Sequence, residues 1–102
     1  MIPFTHLTSG DNCEIIMDRR IDGETANQLE IELINIEKTA VNAVYINLAA
    51  CTFICSAGLR VILQYHRKFK MAKRRLLISR LSPEADQILE LTGFKESLVE
   101  SV

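Results

Sequence analysis

Val44-Tyr45-Ile46-Asn47-Leu48-Ala49-Ala50-Cys51-Thr52-Phe53-Ile54-Cys55-Ser56-Ala57-Gly58-Leu59-Arg60-Val61-Ile62-Leu63 is the stretch on which the reading of this chain turns. Its first part is β-branched and aromatic, with apolar residues on both parities between Val44 and Leu48. That pattern predicts a strand over Val41–Leu48 buried on both faces, as in a parallel sheet covered by helices. A loop, Ala49 to Cys55, follows. Ser56-Ala57-Gly58-Leu59 then opens a helix with Leu59, Ile62, Leu63, His66 and Phe69 along one side, and Ser56 stands as its N-cap. Unpaired amides and the positive end of the helix dipole gather where a strand hands over to a helix. A phosphate on Ser56 would be held there. Gly58, without a side chain, lets another molecule approach the backbone. The plainer reading makes Ser56 a cap and nothing more.

Working outward, Phe4 to Thr8 and Cys13 to Met17 read as two short strands around a Ser9-Gly10-Asp11-Asn12 turn. From Glu24 to Thr39, Ala26, Leu29, Leu33 and Ile36 recur at helical spacing, with Ile31 and Ile34 off that stripe. Leu76-Leu77-Ile78 is a further buried strand. Ser82-Pro83-Glu84 starts a helix with a cap, a proline and a first-turn acid, and Thr92-Gly93 ends it. Leu98-Val99 reads as a final edge strand. The order describes an α/β (α+β-like) fold, a small mixed β-sheet of about four to five strands with helices packed on it.

The chain has 102 residues, 48% hydrophobic and 25% charged, with 4 Gly, 2 Pro and 3 Cys and a formal charge of −1. That length fits one domain, residues 1–102, large enough to fold without staples. Nothing approaches the roughly 18–20 apolar residues of a membrane span. The start, Met1-Ile2-Pro3-Phe4-Thr5-His6, has no signal-peptide blocks, so a soluble cytoplasmic protein is expected. Cys13, Cys51 and Cys55 are an odd set, which points to a reducing compartment and free thiols; no metal site is expected from Cys51, Cys55, His6 and His66.

Charge is unevenly spread. Residues 11–37 hold eight acids (Asp11, Glu14, Asp18, Asp22, Glu24, Glu30, Glu32, Glu37), and residues 60–75 hold seven bases (Arg60, Arg67, Lys68, Lys70, Lys73, Arg74, Arg75) and no acid. A basic stretch can neutralise phosphates, but a solvated helix face explains it as well, and direct nucleic-acid binding is not expected. There is no P-loop, G-x-S-x-G elbow or H-E-x-x-H helix, so the chain does not read as an enzyme. His66 lies ten residues beyond Ser56, about 15 Å along one helix, too far to serve it as a base. His6 has no identifiable partner.

Cys55-Ser56-Ala57-Gly58-Leu59-Arg60-Val61-Ile62-Leu63 resembles the signature of the STAS domains of bacterial anti-sigma factor antagonists, Asp-Ser-Ser/Ala-Gly-Leu leading into an apolar helix. Ile21-Asp22 with Thr25-Ala26, the Asn47-Leu48 strand end, and Ser82-Pro83 leading to Leu89-Glu90-Leu91-Thr92-Gly93-Phe94 agree with it in order. The resemblance implies that Ser56 is the phosphoacceptor of an anti-sigma factor that is also a serine kinase. It implies further that the unphosphorylated chain binds that partner, and that a PP2C-type phosphatase reverses the modification. Asp22, Thr25, Cys55, Ser56, Ala57 and Gly58, with Leu59 and Arg60, are the implied partner-binding residues, and no cofactor is needed. Asp22 is open to two readings, kinase contact or helix cap. The chain departs from the pattern where Cys55 replaces the usual Asp and Arg19 a usual Gly. The alternative is a STAS scaffold outside sigma control, never phosphorylated; a redox-active Cys55 is a further one. Relatives often carry a final helix beyond the last strand, and its lack here would leave a sheet edge or apolar patch favouring self-association.

Overall fold

The computed structural model describes residues 4–99; the outermost residues of the expected domain, 1–3 and 100–102, lie outside the described residues. Among the described residues six strands and four helices follow in the order β1 (Phe4–Ser9), β2 (Asn12–Met17), β3 (Arg20–Ile21), α1 (Gly23–Glu37), β4 (Ala43–Leu48), β5 (Phe53–Ile54), α2 (Ser56–Met71), β6 (Arg75–Leu81), α3 (Pro83–Thr92) and α4 (Lys95–Leu98). The main sheet runs β1-β2-β4-β6, with β1 antiparallel to β2 and the other pairs parallel. The mixed sheet expected from the sequence is therefore present. β3 and β5, two residues each, form a separate parallel pair that sequence periodicity did not disclose.

Alternation along β2, β4 and β6 sends Cys13, Ile15, Met17, Val44, Ile46, Leu48, Leu76 and Ile78 to one face, all buried. Against them pack Ala26, Leu29, Leu33 and Ile36 of α1, Ile62, Tyr65 and Phe69 of α2, and Ala85 and Leu89 of α3, in one continuous core. Ile31 and Ile34, off the stripe, are exposed. The expectation of burial on both faces fails. The opposite face carries Leu7, Glu14, Tyr45 and Leu77 side by side in register, and a shallow solvent-facing groove over it is lined by strand residues with no helix residue among them. Tyr45 and Asn47 are half-buried there because neighbouring strand side chains shelter them, as when Asn47 Nδ2 donates to Glu14 Oε2 at 3.2 Å.

The β6 edge is partly occupied. Ile78 bridges Val99, and His66 Nδ1 donates to the Leu76 carbonyl oxygen at 2.8 Å. The segment expected as an edge strand at Leu98-Val99 is a one-turn helix ending at Leu98, followed by that single bridge; Leu98, the last residue of α4, is buried. His6 does have a partner, since its Nδ1 lies 2.8 Å from Glu32 Oε1 of α1. No helix among the described residues is long and apolar enough to cross a membrane.

Part of the basic stretch is structural. The Arg74 guanidinium lies over the Phe69 ring at 4.5 Å and donates to the carbonyl oxygens of Val41 and Glu37, at 2.8 and 2.9 Å, closing the end of α1. Lys68 pairs with Glu37 at 3.8 Å.

Candidate functional site

The β3–β5 pair builds the site. Ile21 lies opposite Ile54, so the next residues, Asp22 and Cys55, also come side by side, at a strand spacing of about 4.8 Å. α1 starts immediately after the first and α2 immediately after the second. Two helix N-termini are thereby set next to each other at the carboxyl end of the parallel strands.

Asp22 caps α1: its Oδ1 accepts from the Thr25 amide at 2.9 Å. That hydrogen bond from Thr25 is the main reason its carboxyl sits below the ordinary carboxylate range, and the side chain is otherwise exposed. Of its two readings, the cap is thus realised.

The cap of α2 is Cys55 and not Ser56. Cys55 stays extended because its amide donates to the Ile21 carbonyl oxygen at 2.9 Å, continuing the β3–β5 pairing, and no side-chain bond closes the helix start. Ser56 is the first helical residue and is exposed. Its hydroxyl is therefore not consumed in capping. The first amide of α2 to bond backwards is that of Leu59, to the Cys55 carbonyl oxygen at 3.1 Å, which leaves the Ser56, Ala57 and Gly58 amides without intrahelical acceptors.

Gly58 serves a different end from the one expected. It is buried, and a Cβ there would stand 2.6 Å from Ile21 Cγ2 and 3.2 Å from Ile54 Cγ2. The missing side chain lets α2 settle on its own β3–β5 pair and opens no approach for another molecule. Thr25 is likewise buried beneath the surface, at 7% exposure. Ala57 and Leu59 are half-buried, and Arg60, one turn beyond Ser56 on the same helix face, is exposed.

Two grooves of about 250 Å³ flank Ser56's helix. One, between α1 and α2, is lined by Gly23, Asn27, Glu30, Ala57, Arg60 and Gln64. The other, between α2 and α3–α4, has Ser56 and Arg60 at its rim and Leu59, Leu63, Leu89 and Phe94 in its walls. Sequence reasoning did not assign Leu63, Leu89 or Phe94 to the site; the signals were the end of the Cys55–Leu63 run and the Leu89-Glu90-Leu91-Thr92-Gly93-Phe94 run.

Ser82 fixes the approach to β5. Its Oγ accepts from the Ala85 amide at 2.9 Å as the α3 cap and donates to the Cys51 carbonyl oxygen, while its amide donates to Leu48 at 3.0 Å. Cys13 and Cys51 are buried and Cys55 half-buried. Burial pushes the Cys13 thiol up to about 11 and raises that of Cys51. Among the described residues no three His, Cys, Asp or Glu side chains converge as metal ligands.

The chain is similar to known proteins in sequence and in fold. BtrV of Bordetella bronchiseptica, described as an anti-sigma factor antagonist, is 30% identical over 74 residues, covering 72% of this chain and 64% of its own length. The chain thus spans under two thirds of that relative. The anti-sigma factor antagonist SpoIIAA in its unphosphorylated form superposes with a TM-score of 0.83 at 17% identity, over 97% of this chain and 88% of that one. The Bacillus cell fate determinant SpoIIAA in its phosphorylated form gives 0.76 at 17% identity, over 97% and 91%. These likenesses establish the shared fold. The STAS domain profile matches residues 7–101, nearly the whole chain, and the chain belongs to the STAS domain family.

Proposed function

We propose that residues 1–102 act as one cytoplasmic STAS domain, an anti-sigma factor antagonist switched at Ser56. The unphosphorylated chain binds an anti-sigma factor serine kinase; that kinase transfers the γ-phosphoryl of ATP to the Ser56 hydroxyl, and the modified chain is released. A PP2C-type phosphatase hydrolyses the phosphate and restores binding. The observation that carries this reading is the exposed Ser56 hydroxyl at the first position of α2, left unused because Cys55 occupies the cap.

The physical consequences run in one direction. Phosphorylation adds roughly 1.5–2 negative charges to the centre of the contact surface. On the free domain that charge meets the unpaired first-turn amides and the positive end of the α2 dipole, so the fold tolerates it. Arg60, one turn on, supplies a nearby cation. Against a bound partner the same charge must be desolvated beside the Asp22 carboxylate. A penalty of about 3 kcal/mol weakens binding more than a hundredfold. Asp22, Ala57, Leu59 and Arg60 supply the surface around the hydroxyl, and Thr25 and Gly58 support it from beneath.

Cys55 favours the second reading, a STAS scaffold that is never phosphorylated, because the carboxylate usual before the phosphoacceptor is missing. Incubation with ATP in host lysate followed by tandem mass spectrometry separates the two. Phosphate mapped to Ser56 and absent from Ser56→Ala supports the switch. An unmodified Ser56 under several growth conditions overturns it in favour of the scaffold.

A further inference from the structure

Part of the basic stretch remains unexplained by the Ser56 site. Arg67, Lys70 and Arg75 are exposed and make no ion pair among the described residues, unlike Lys68, which pairs with Glu37, and Arg74, whose guanidinium is spent on backbone carbonyls. The three flank one groove of about 500 Å³ between the second half of α2, the start of β6 and α4, and among the described residues no carboxylate lines it. Leu63, Leu76, Leu77 and Phe94, the last 39% exposed, supply its apolar walls, and His66 and Ser97 also line it.

We propose that this groove is a second docking site, for an acidic, apolar-anchored peptide segment of a partner protein. Charge complementarity selects the sign of the ligand, and the apolar walls select its type. Leucine-like anchors fit between Leu63 and Phe94 while carboxylates meet Arg67, Lys70 and Arg75. A nucleic acid fits less well. A phosphate backbone offers nothing to the apolar walls. Arg67 lies eleven residues beyond Ser56, about 16 Å along the α2 axis. The groove shares Leu63 and Phe94 with the one beside Ser56, but its cations lie at the other end of α2, so its ion pairing does not depend on the phosphorylation state of Ser56.

Fluorescence anisotropy with a labelled peptide of about four helical turns tests this, the peptide carrying two leucines one turn apart among glutamates. A matching peptide with Gln for every Glu and a single-stranded oligothymidylate are the comparison probes. Saturable binding of the Glu peptide is expected, weakening as salt rises from about 50 to 200 mM. Arg67→Glu with Lys70→Glu and Arg75→Glu should weaken it at least about tenfold, Phe94→Ala about threefold, and Ser56→Asp should leave it unchanged. Should the triple reversal not fold by circular dichroism, Arg67→Gln with Lys70→Gln, a pure loss of charge on exposed positions, is expected to weaken binding by about threefold or more. No saturable binding of the Glu peptide, equal binding of the Gln peptide, or undiminished binding in the charge variants overturns the proposal. Tighter binding of oligothymidylate than of the Glu peptide overturns it in favour of a nucleic acid.

Discussion

Adding one methyl at position 58 tests how α2, and with it Ser56, is seated. In Gly58→Ala the new Cβ stands 2.6 Å from Ile21 Cγ2 and 3.2 Å from Ile54 Cγ2, and both isoleucines are buried. A β-branched side chain has little freedom at χ1, so the methyl cannot simply swing away. Overpacking of this kind costs about 1–3 kcal/mol, and the higher helix propensity of Ala returns about 0.5–1 kcal/mol. The 2.6 Å contact with a stiff side chain puts the cost in the upper half of that range, so the expected net loss is about 1–2 kcal/mol, a fall in Tm of about 5–15 °C for a domain of this size, read by urea titration and thermal melting. The clashing atom is specific. Ile21→Leu removes Cγ2 and should recover part of the loss in the double variant, whereas Ile21→Val keeps Cγ2 and should recover none. A Gly58→Ala protein as stable as wild type, or equal rescue by both substitutions, would refute the assigned contact.

Four further outcomes follow from the same structure. Ser82→Ala removes both the α3 cap and the donor to the Cys51 carbonyl oxygen, and should cost about 2–3 kcal/mol in a denaturant titration. Lys73 holds a left-handed backbone, φ 60°, in the turn out of α2, so Lys73→Gly should raise stability by about 0.5–1 kcal/mol in the same assay. In native protein a thiol reagent should titrate Cys55 and spare buried Cys13 and Cys51 until denaturant is added. With Cys13 raised from 9.0 to about 11 in the folded state, only the unfolded chain ionises it between those values; stability should fall as pH rises through that interval, and less so in Cys13→Ala.

The long elements were legible in the sequence because each has a period to follow. The Ala26-Leu29-Leu33-Ile36 stripe, the Ser82-Pro83 start and the Gly93 stop, at φ 79°, all lie where their chemistry requires. What escaped the sequence reading depends on contacts between distant segments. β3 and β5 are two residues each, too short for any alternation, and exist only because they pair with each other. That pairing also moved the α2 cap from Ser56 to Cys55, since the Cys55 amide is held by Ile21 from another part of the chain. Gly58 looked like an opening to solvent because nothing local says that Ile21 lies above it. Tyr45 and Asn47 mimicked the inner face of a doubly covered sheet because neighbouring strands, and not a second layer of helices, shelter them.

The central claim is that charge at Ser56 decides binding. It is tested most directly by immobilising wild type, Ser56→Ala and Ser56→Asp and quantifying the host proteins retained by each. The account predicts one ATP-binding anti-sigma factor kinase held by wild type and Ser56→Ala and reduced about a hundredfold on Ser56→Asp. Equal retention of every partner by all three forms would contradict it.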